Sequence, residues 1–546
     1  MPTASEYLEW RSSRKVPAPP STGPVMSVVV LVSSPKAEYL AESIRSVGRQ
    51  SYARWELLLA DVSDEPHVRP LCDRFRQLDG RIRTIDCRGG NVAGGTNAAV
   101  STAQGSWLVL LGEEDLMEDH ALAVLAARVV ETLTADFIYS DEDQVVGNGN
   151  CRAPFFKPDW SPDLLRCVDY IGPFVACRRQ LFDDVGGLRS DHEGAERYDF
   201  VLRATAQARE VQHVADVLYH RRTETHADHA VVAAHETRHA ASRALEDFAR
   251  RTDPGCVVEV PAGPEPNRLR YPLRREMISI VVPFRDRPTL TDACLRSIER
   301  FGSSLPFELL LVSNRSTERS TFEAMEHWTR RWTWARALCF DEPFNFQRLN
   351  NWATEQAKGS YLLFLNNDTE AVHGGWVEAL AEHAQRPSVG AVGARLFYPD
   401  GLIQHAGVVV GIGGFADHPW AHLSPDASTP AGPSSWVRDM TAVTAACLMV
   451  NRARFEGVGG FDERFSVCGG DVDLCIRLVD AGYWNIVTPY ARLVHREAAT
   501  RERQPPAVDV EQSLRAYARY LNDGGDPFYN PNLTLLDTSC GLGKSA

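Results

Sequence analysis

The chain lacks any run approaching the roughly 20 consecutive apolar residues that a membrane-spanning helix needs. Ala442 to Val450 is among its longest apolar stretches, and it suits a buried strand. It also lacks a basic excess: 58 Lys and Arg stand against 72 Asp and Glu, a formal charge of −14. That balance argues against a nucleic-acid partner or a polybasic membrane anchor. The N-terminus is polar and Pro-rich (Val16-Pro17-Ala18-Pro19-Pro20) and has no signal-peptide core, so the expected location is cytoplasmic. None of the 12 cysteines forms a Cys-x-x-Cys pair, and several sit in apolar runs (Cys447, Cys475). Reduced, buried thiols are expected. What remains is an ordinary globular composition, 44% hydrophobic and 24% charged, and 546 residues, enough for two to four domains.

What the chain does have is a repetition. Gly105-Ser106-Trp107-Leu108-Val109-Leu110-Leu111-Gly112-Glu113-Glu114-Asp115 returns as Gly359-Ser360-Tyr361-Leu362-Leu363-Phe364-Leu365-Asn366-Asn367-Asp368. Gly186-Gly187 followed by Tyr198-Asp199-Phe200 returns as Gly459-Gly460 followed by Val472-Asp473-Leu474. Leu218-Tyr219-His220 returns as Leu493-Val494-His495. Three landmarks in one order imply a duplicated domain, far longer than a solenoid unit.

Each copy opens on a strand, Ser27 to Val32 or Ile278 to Val282, and further strands follow at helix-length intervals. That pattern predicts an α/β fold with two mostly parallel sheets flanked by helices. The expected divisions are a flexible leader (1–25), a first domain (26–225), a helical connector (226–275), a second domain (276–506) and a tail (507–546).

Ligands of open α/β sheets bind at the carboxyl ends of strands, where Asn366-Asn367-Asp368 falls. A carboxylate there can hold a divalent cation against a diphosphate; alone, an Asp after a strand is more often a helix cap or turn. Asp471, Asp473 and His495 follow in order.

These strings resemble the family-2 glycosyltransferases of the GT-A fold. The resemblance is carried by Ile280-Val281-Val282-Pro283-Phe284-Arg285-Asp286, Leu365 to Glu370, Thr444 to Val450, Gly459 to Phe465, Asp471 to Arg477 and Leu493-Val494-His495. The first half is similar to a neighbouring subgroup through Tyr139 to Asp143 and Phe156 to Leu165. The resemblance implies inverting transfer from a nucleotide-sugar, UDP- or dTDP-linked, to a glycan or lipid-linked hydroxyl, as in O-antigen, capsule or rhamnan synthesis. It implies Asn366, Asp368 and His495 on Mn²⁺ or Mg²⁺, and Asp471 as general base. Pro283, Arg285, Asp286, Asn314, Arg348, Asn350 and Asn367 would meet the nucleotide-sugar. The chain departs from the family pattern at Ser313-Asn314, where Asp-Asn or Asp-Asp is usual, at Gly470, where many members have Glu or Asn, and at Asn366, which replaces the first Asp of the Asp-x-Asp motif. Peripheral membrane contact is compatible with this reading. A processive synthase would be expected to carry Gln-x-x-Arg-Trp and membrane helices, and neither is present.

In the first half, Arg197 stands in place of Asp471, and a guanidinium cannot accept a proton near neutral pH. Asp61, Glu114, Asp115, Asp199 and His220 form a candidate second site, with Glu114 or Asp115 as its metal carboxylate. The first half thus reads as degenerate, with a bifunctional enzyme or a non-catalytic glycan-binding scaffold as alternatives. Trp160 suits either sugar stacking or the core. Trp420 and His418 lie in a Gly-rich stretch, Gly411 to His422, expected as a mobile lid over the acceptor.

Overall fold

The computed structural model describes the chain except residues 148, 224–226, 264, 497–505, 523 and 544–546, and describes no side chains over 227–237. In the first half the strands are β1 (Met26–Val32), β2 (Trp55–Asp61), β3 (Ile82–Asp86), β4 (Trp107–Leu111), β5 (Leu116–Met117), β6 (Phe137–Val146), β7 (Asn150–Phe155), β8 (Val175–Arg178) and β9 (Val211–Arg222). They form one sheet of order β3-β2-β1-β4-β8-β6-β9-β5, with β7 on β6. A hairpin, β10 (Val257–Glu259) and β11 (Arg268–Arg270), follows the connector helix Ala227–Thr252.

The second half contains β12 (Ile278–Phe284), β13 (Phe307–Asn314), β14 (Ala335–Phe340), β15 (Tyr361–Leu365), β16 (Thr369–Ala371), β17 (Val389–Phe397), β18 (Ile403–His405), β19 (Val409–Val410), β20 (Ala416–Asp417), β21 (Arg438–Met440), β22 (Cys447–Asn451) and β23 (Trp484–His495). Its main sheet runs β14-β13-β12-β15-β22-β17-β23-β16, the same order, element for element, as the first. The four strands from β14 to β15 are parallel; β22 is antiparallel to both its neighbours. Central strands such as Val28-Val29-Val30 and Ile280-Val281-Val282 are buried on both faces, so they read as unbroken β-branched runs.

The duplication extends to buried polar detail. Ser27 Oγ donates to Glu56 (2.7 Å) and accepts from Gly105 N (2.9 Å). Ser279 Oγ does the same with Glu308 (2.7 Å) and Gly359 N (2.9 Å). A Cβ on Gly105 or Gly359 would fall within 2.8 Å of neighbouring backbone oxygen, so both repeats need glycine there.

The halves share a core, since one buried cluster contains Trp10, Phe156 and Val217 together with Val281, Trp420 and Tyr529. The segment 156–163 crosses between them: Phe156 N donates to Pro430 O (2.8 Å), Asp159 N to Pro527 O (2.8 Å) and Ser161 Oγ to Asp439 (2.7 Å). From the C-terminal segment, Asn530 Nδ2 returns to the Asp141 carboxylate (2.9 Å).

The expected flexible leader needs correcting. Residues Ala4–Ser12 form a helix with a Thr3/Glu6 capping box, because Tyr7 and Trp10 give it a face to bury. The expected lid is also tied down. Gly413 N donates to Leu535 O (2.8 Å) and Trp420 N to Thr538 O (2.8 Å), so the C-terminal segment holds the stretch in place. The expected boundary at 225/226 lies outside the described residues. All 12 cysteines are free thiols, most of them buried.

Candidate active site

A cleft of about 1270 Å³ opens at the carboxyl ends of β12, β13 and β15. Pro283 and Arg285 from the end of β12, Asn314 from β13, and Asn366, Asn367 and Asp368 after β15 line it, with Asp471 and His495. This is where the strand order reverses, the expected ligand position in an open sheet.

At its centre, Asp368 Oδ1 lies 3.1 Å from His495 Nε2. The pairing of Thr369 with His495 between β16 and β23 sets this approach. His495 Nδ1 is 2.7 Å from Gln404 Oε1. An amide oxygen only accepts, so Nδ1 carries a proton, and in the neutral ring that a metal ligand must be, Nε2 presents the lone pair. Asn366 Nδ2 donates towards that same Nε2 (3.4 Å). A carboxylate oxygen and an imidazole lone pair therefore face each other across 3.1 Å, an arrangement that a cation between them would stabilise. The donor set, one carboxylate, one imidazole and an amide, fits Mn²⁺ or Mg²⁺, and Gln404 is the outer partner that such a histidine ligand usually has.

Asp471 lies in the first turn of the helix Gly470–Asp480. Its carboxylate accepts from Ala445 N and Val472 N, both at 3.0 Å, which aims it while leaving lone pairs for a ligand. Asp473 pairs with Arg477 (2.7 Å) on the same helix.

Three expected nucleotide-sugar contacts do not line the cleft. Asp286, at φ +51, accepts from Thr317 N and Glu318 N, each at 2.9 Å, and so fixes the turn before the helix Arg319–Arg331. Arg348 points outward to Glu463 (3.0 Å) and Glu342 (3.2 Å). Asn350 is buried and donates to Phe346 O (2.8 Å) inside its own helix, Phe346–Gln356. Helical phase explains the error: with Asn345 as N-cap, Phe346 and Gln347 face the cleft while Arg348 faces solvent. Gln347, Gln404, His405 and Tyr398 line the cleft and were not singled out from sequence; the phase set by the Asn345 cap was the one usable signal, and it points to Gln347. His418 lines it as expected. Trp420 does not: it is buried, donates from Nε1 to Thr429 and Gly432 (both 3.1 Å), and lies beneath the Arg438 guanidinium. Trp160 packs against the first-domain core.

In the first half the corresponding carboxylates have internal partners. Leu116 pairs with His220 as Thr369 does with His495, so Asp115, rather than Glu114, takes the place of Asp368. Asp115 accepts from Tyr219 Oη and from Arg222 N (2.7 Å), and Glu114 from Lys36 N (2.7 Å). His220 is held between Asp143 (2.5 Å) and Glu118 (3.2 Å). The N-terminal helix covers that pair, Tyr7 Oη donating to Asp143 (2.7 Å) and Arg11 pairing with Glu118. Asp199 is clasped by Arg189 and Arg203, Asp61 accepts from Ser63 N (3.2 Å), and Arg197 pairs with Asp169 (3.0 Å). Among the described residues, the groups of three or more metal-ligating side chains are Asp143–Cys151–His220 and His192–Asp199–Asp247. Both lie in the first half, away from the cleft.

Residues 27–186 and 279–406, more than half of the chain, match Glycosyl transferase family 2. The chain belongs to this family. It is 41% identical over 99% of its length to O-antigen biosynthesis protein RfbC of Myxococcus xanthus, and 37% identical over 94% to the uncharacterized protein y4gI of Sinorhizobium fredii. It spans 43% and 58% of the lengths of those two relatives. Among solved structures it is similar to GalNAc-T7 with UDP, GalNAc and Mn²⁺, at 12% identity and TM-score 0.36, over 45% of this chain and 49% of that one. The two family-2 matches begin one in each half, and each sheet is a GT-A-like α/β unit. Among the described residues no helix is long and apolar enough to cross a membrane.

Proposed function

We propose that the second domain transfers a sugar, with inversion, from a nucleotide-sugar to a hydroxyl of a growing surface glycan, and that the first domain braces it without catalysing. The observation that carries this reading is the facing pair of Asp368 and His495, with the histidine tautomer set by Gln404. The pair, with Asn366, would hold Mn²⁺ or Mg²⁺, which when bound neutralises charge on the departing nucleoside diphosphate. Asn314, Arg285 and Pro283 lie where the nucleotide would reach. Asp471 takes the proton of the acceptor hydroxyl as its oxygen bonds to the anomeric carbon and the diphosphate leaves with the electron pair. The product class rests on the printed name of the RfbC relative. A UDP- or dTDP-sugar donor, a lipid-linked acceptor at the inner membrane face and non-processive transfer complete the proposal.

The test is release of nucleotide from a panel of nucleotide-sugars, with Mn²⁺ and with EDTA. Metal-dependent release lost in Asp368→Ala and kept in Arg197→Ala supports the assignment. Release unchanged in Asp368→Ala overturns it.

A further inference from the structure

We infer that His405 is an acceptor-binding residue, presenting an Nε2–H to a hydroxyl oxygen of the acceptor sugar; this rests on the transferase reading above. His405 ends β18, is 1% exposed and lines the cleft. Its Nδ1 lies 2.9 Å from Nδ1 of His418, so a single proton lies between the two nitrogens. The carbonyl oxygen of Gly407 is 3.3 Å from the same His418 nitrogen. A carbonyl only accepts, so the proton belongs to His418, which donates to His405 with the carbonyl as a second acceptor. The opposite assignment would leave the His418 lone pair facing a carbonyl. His405 therefore accepts at Nδ1. Burial pushes its pKa well below the usual imidazole range, so the ring is neutral and its one hydrogen is on Nε2.

That Nε2 is buried and has no hydrogen-bond partner among the described residues. Leaving a buried donor without a partner is unfavourable, and a ligand oxygen at this nitrogen would remove that cost. The sheet order says which ligand. The nucleotide side of the cleft comes from β12 and β13, and Asp368 follows β15. His405 lies beyond β22, on a strand paired to β17, next to the Gln404 that holds His495. A nucleotide-sugar with its diphosphate at Asp368 and His495 leaves this side to the second substrate. His418, Tyr398 and His422 lie on the same side, with the Tyr398 and His422 rings stacked 4.7 Å apart, as a sugar-binding wall would have them.

The experiment uses the full chain. ¹⁵N-histidine labelling with long-range ¹H–¹⁵N correlation, the His405 signal assigned by its loss in His405→Gln, reads the tautomer; a proton on Nδ1 of His405 overturns the inference. Calorimetry of the nucleotide-sugar with Mn²⁺ and transfer of labelled sugar to a membrane fraction of the source organism then separate the two substrates. The expected result for His405→Ala is donor affinity within about twofold of wild type and an apparent KM for the membrane acceptor raised on the order of tenfold. His405→Gln, which restores an N–H donor, recovers part of that rise. Unchanged acceptor KM in His405→Ala, or lost donor affinity in its place, overturns the inference. Label transfer that Asp368→Ala leaves intact overturns the transferase reading instead, while the tautomer remains a separate result.

Discussion

The side-chain amide carbon of Gln347 lies 2.5 Å from where a Cβ on residue 470 would stand. Gly470 is among the departures from the family pattern, and the structure supplies a reason: Gln347 fills the space a larger residue would take. Gly470 lies outside the positive-φ glycines, so the restriction is space and not backbone conformation. Gln347 is flexible and borders the cleft, so Gly470→Ala should push its amide aside rather than unfold the domain. The expected outcome is less than about 1 kcal/mol lost in urea denaturation and a clear fall in turnover. Gln347→Ala in the same chain should restore turnover. A double variant as slow as Gly470→Ala alone would show that the steric account is wrong.

Gln404 should tune metal affinity without being a ligand. Its carbonyl oxygen accepts the Nδ1 proton of His495 and keeps the Nε2 lone pair directed at Asp368. Removing such an outer partner typically costs about 10–100-fold in metal affinity. Gln404→Leu is expected to shift the Mn²⁺ titration of nucleotide release by that factor, with turnover at saturating Mn²⁺ largely kept. Gln404→Glu, which still offers an oxygen, should shift it less. Equal Mn²⁺ dependence in Gln404→Leu and wild type would argue against the assigned tautomer.

The duplication and the sheet order were legible because each strand is an unbroken apolar run and each landmark recurs in sequence. That Asn366, Asp368, Asp471 and His495 would border one cleft was legible because short motifs fix them at strand ends and at a helix start. Asp286, Arg348 and Asn350 were misplaced because a motif locates a segment but not which way its side chains turn. One residue of helical phase separates Gln347, in the cleft, from Arg348, on Glu463. The N-terminal helix was missed because its buried residues, Tyr7 and Trp10, find their partners in the distant residues Asp143 and Phe156. His405 gave no local signal, since its meaning depends on a carbonyl and a second histidine brought in by the fold.

His213 makes stability depend on pH in a defined direction. It is buried between Asp141 (2.9 Å) and Asp159 (3.0 Å). Burial lowers its pKa, but the two carboxylates outweigh it and hold the pKa above the ordinary 6.5. A pKa raised on folding contributes stability that is complete below the unfolded value and is lost as pH rises through the folded one. Denaturation midpoints of the wild type should therefore fall as pH climbs above about 6.5, relative to those of His213→Gln. Parallel midpoints across that range would remove His213 from the account. Asp141 also accepts from Asn530, so C-terminal proteolysis should become easier over the same pH range in the wild type.

The brace between the domains should behave as a buried ion pair, not a surface one. Arg386 Nη1 lies 2.5 Å from Asp163 Oδ1, and both side chains are almost wholly buried. Burial alone would raise the Asp163 carboxyl, yet Arg386 and then Arg166 hold it below the ordinary carboxylate range. Asp163 opens the helix Pro162–Cys167 of the first domain, and Arg386 follows the helix Trp376–Ala384 of the second, so the pair joins the domains directly. Removing Arg386 leaves the buried Asp163 carboxylate with only the more distant Arg166 (3.9 Å), a loss approaching the roughly 3–5 kcal/mol of an uncompensated buried charge, whereas replacing both partners with apolar groups is often near neutral. Arg386→Met should therefore lose stability of that order. Adding Asp163→Leu should recover much of the loss while nucleotide release at low temperature stays near wild type. If instead the double variant is stable but slow, the first domain does more than brace: it sets the geometry of the cleft through this contact.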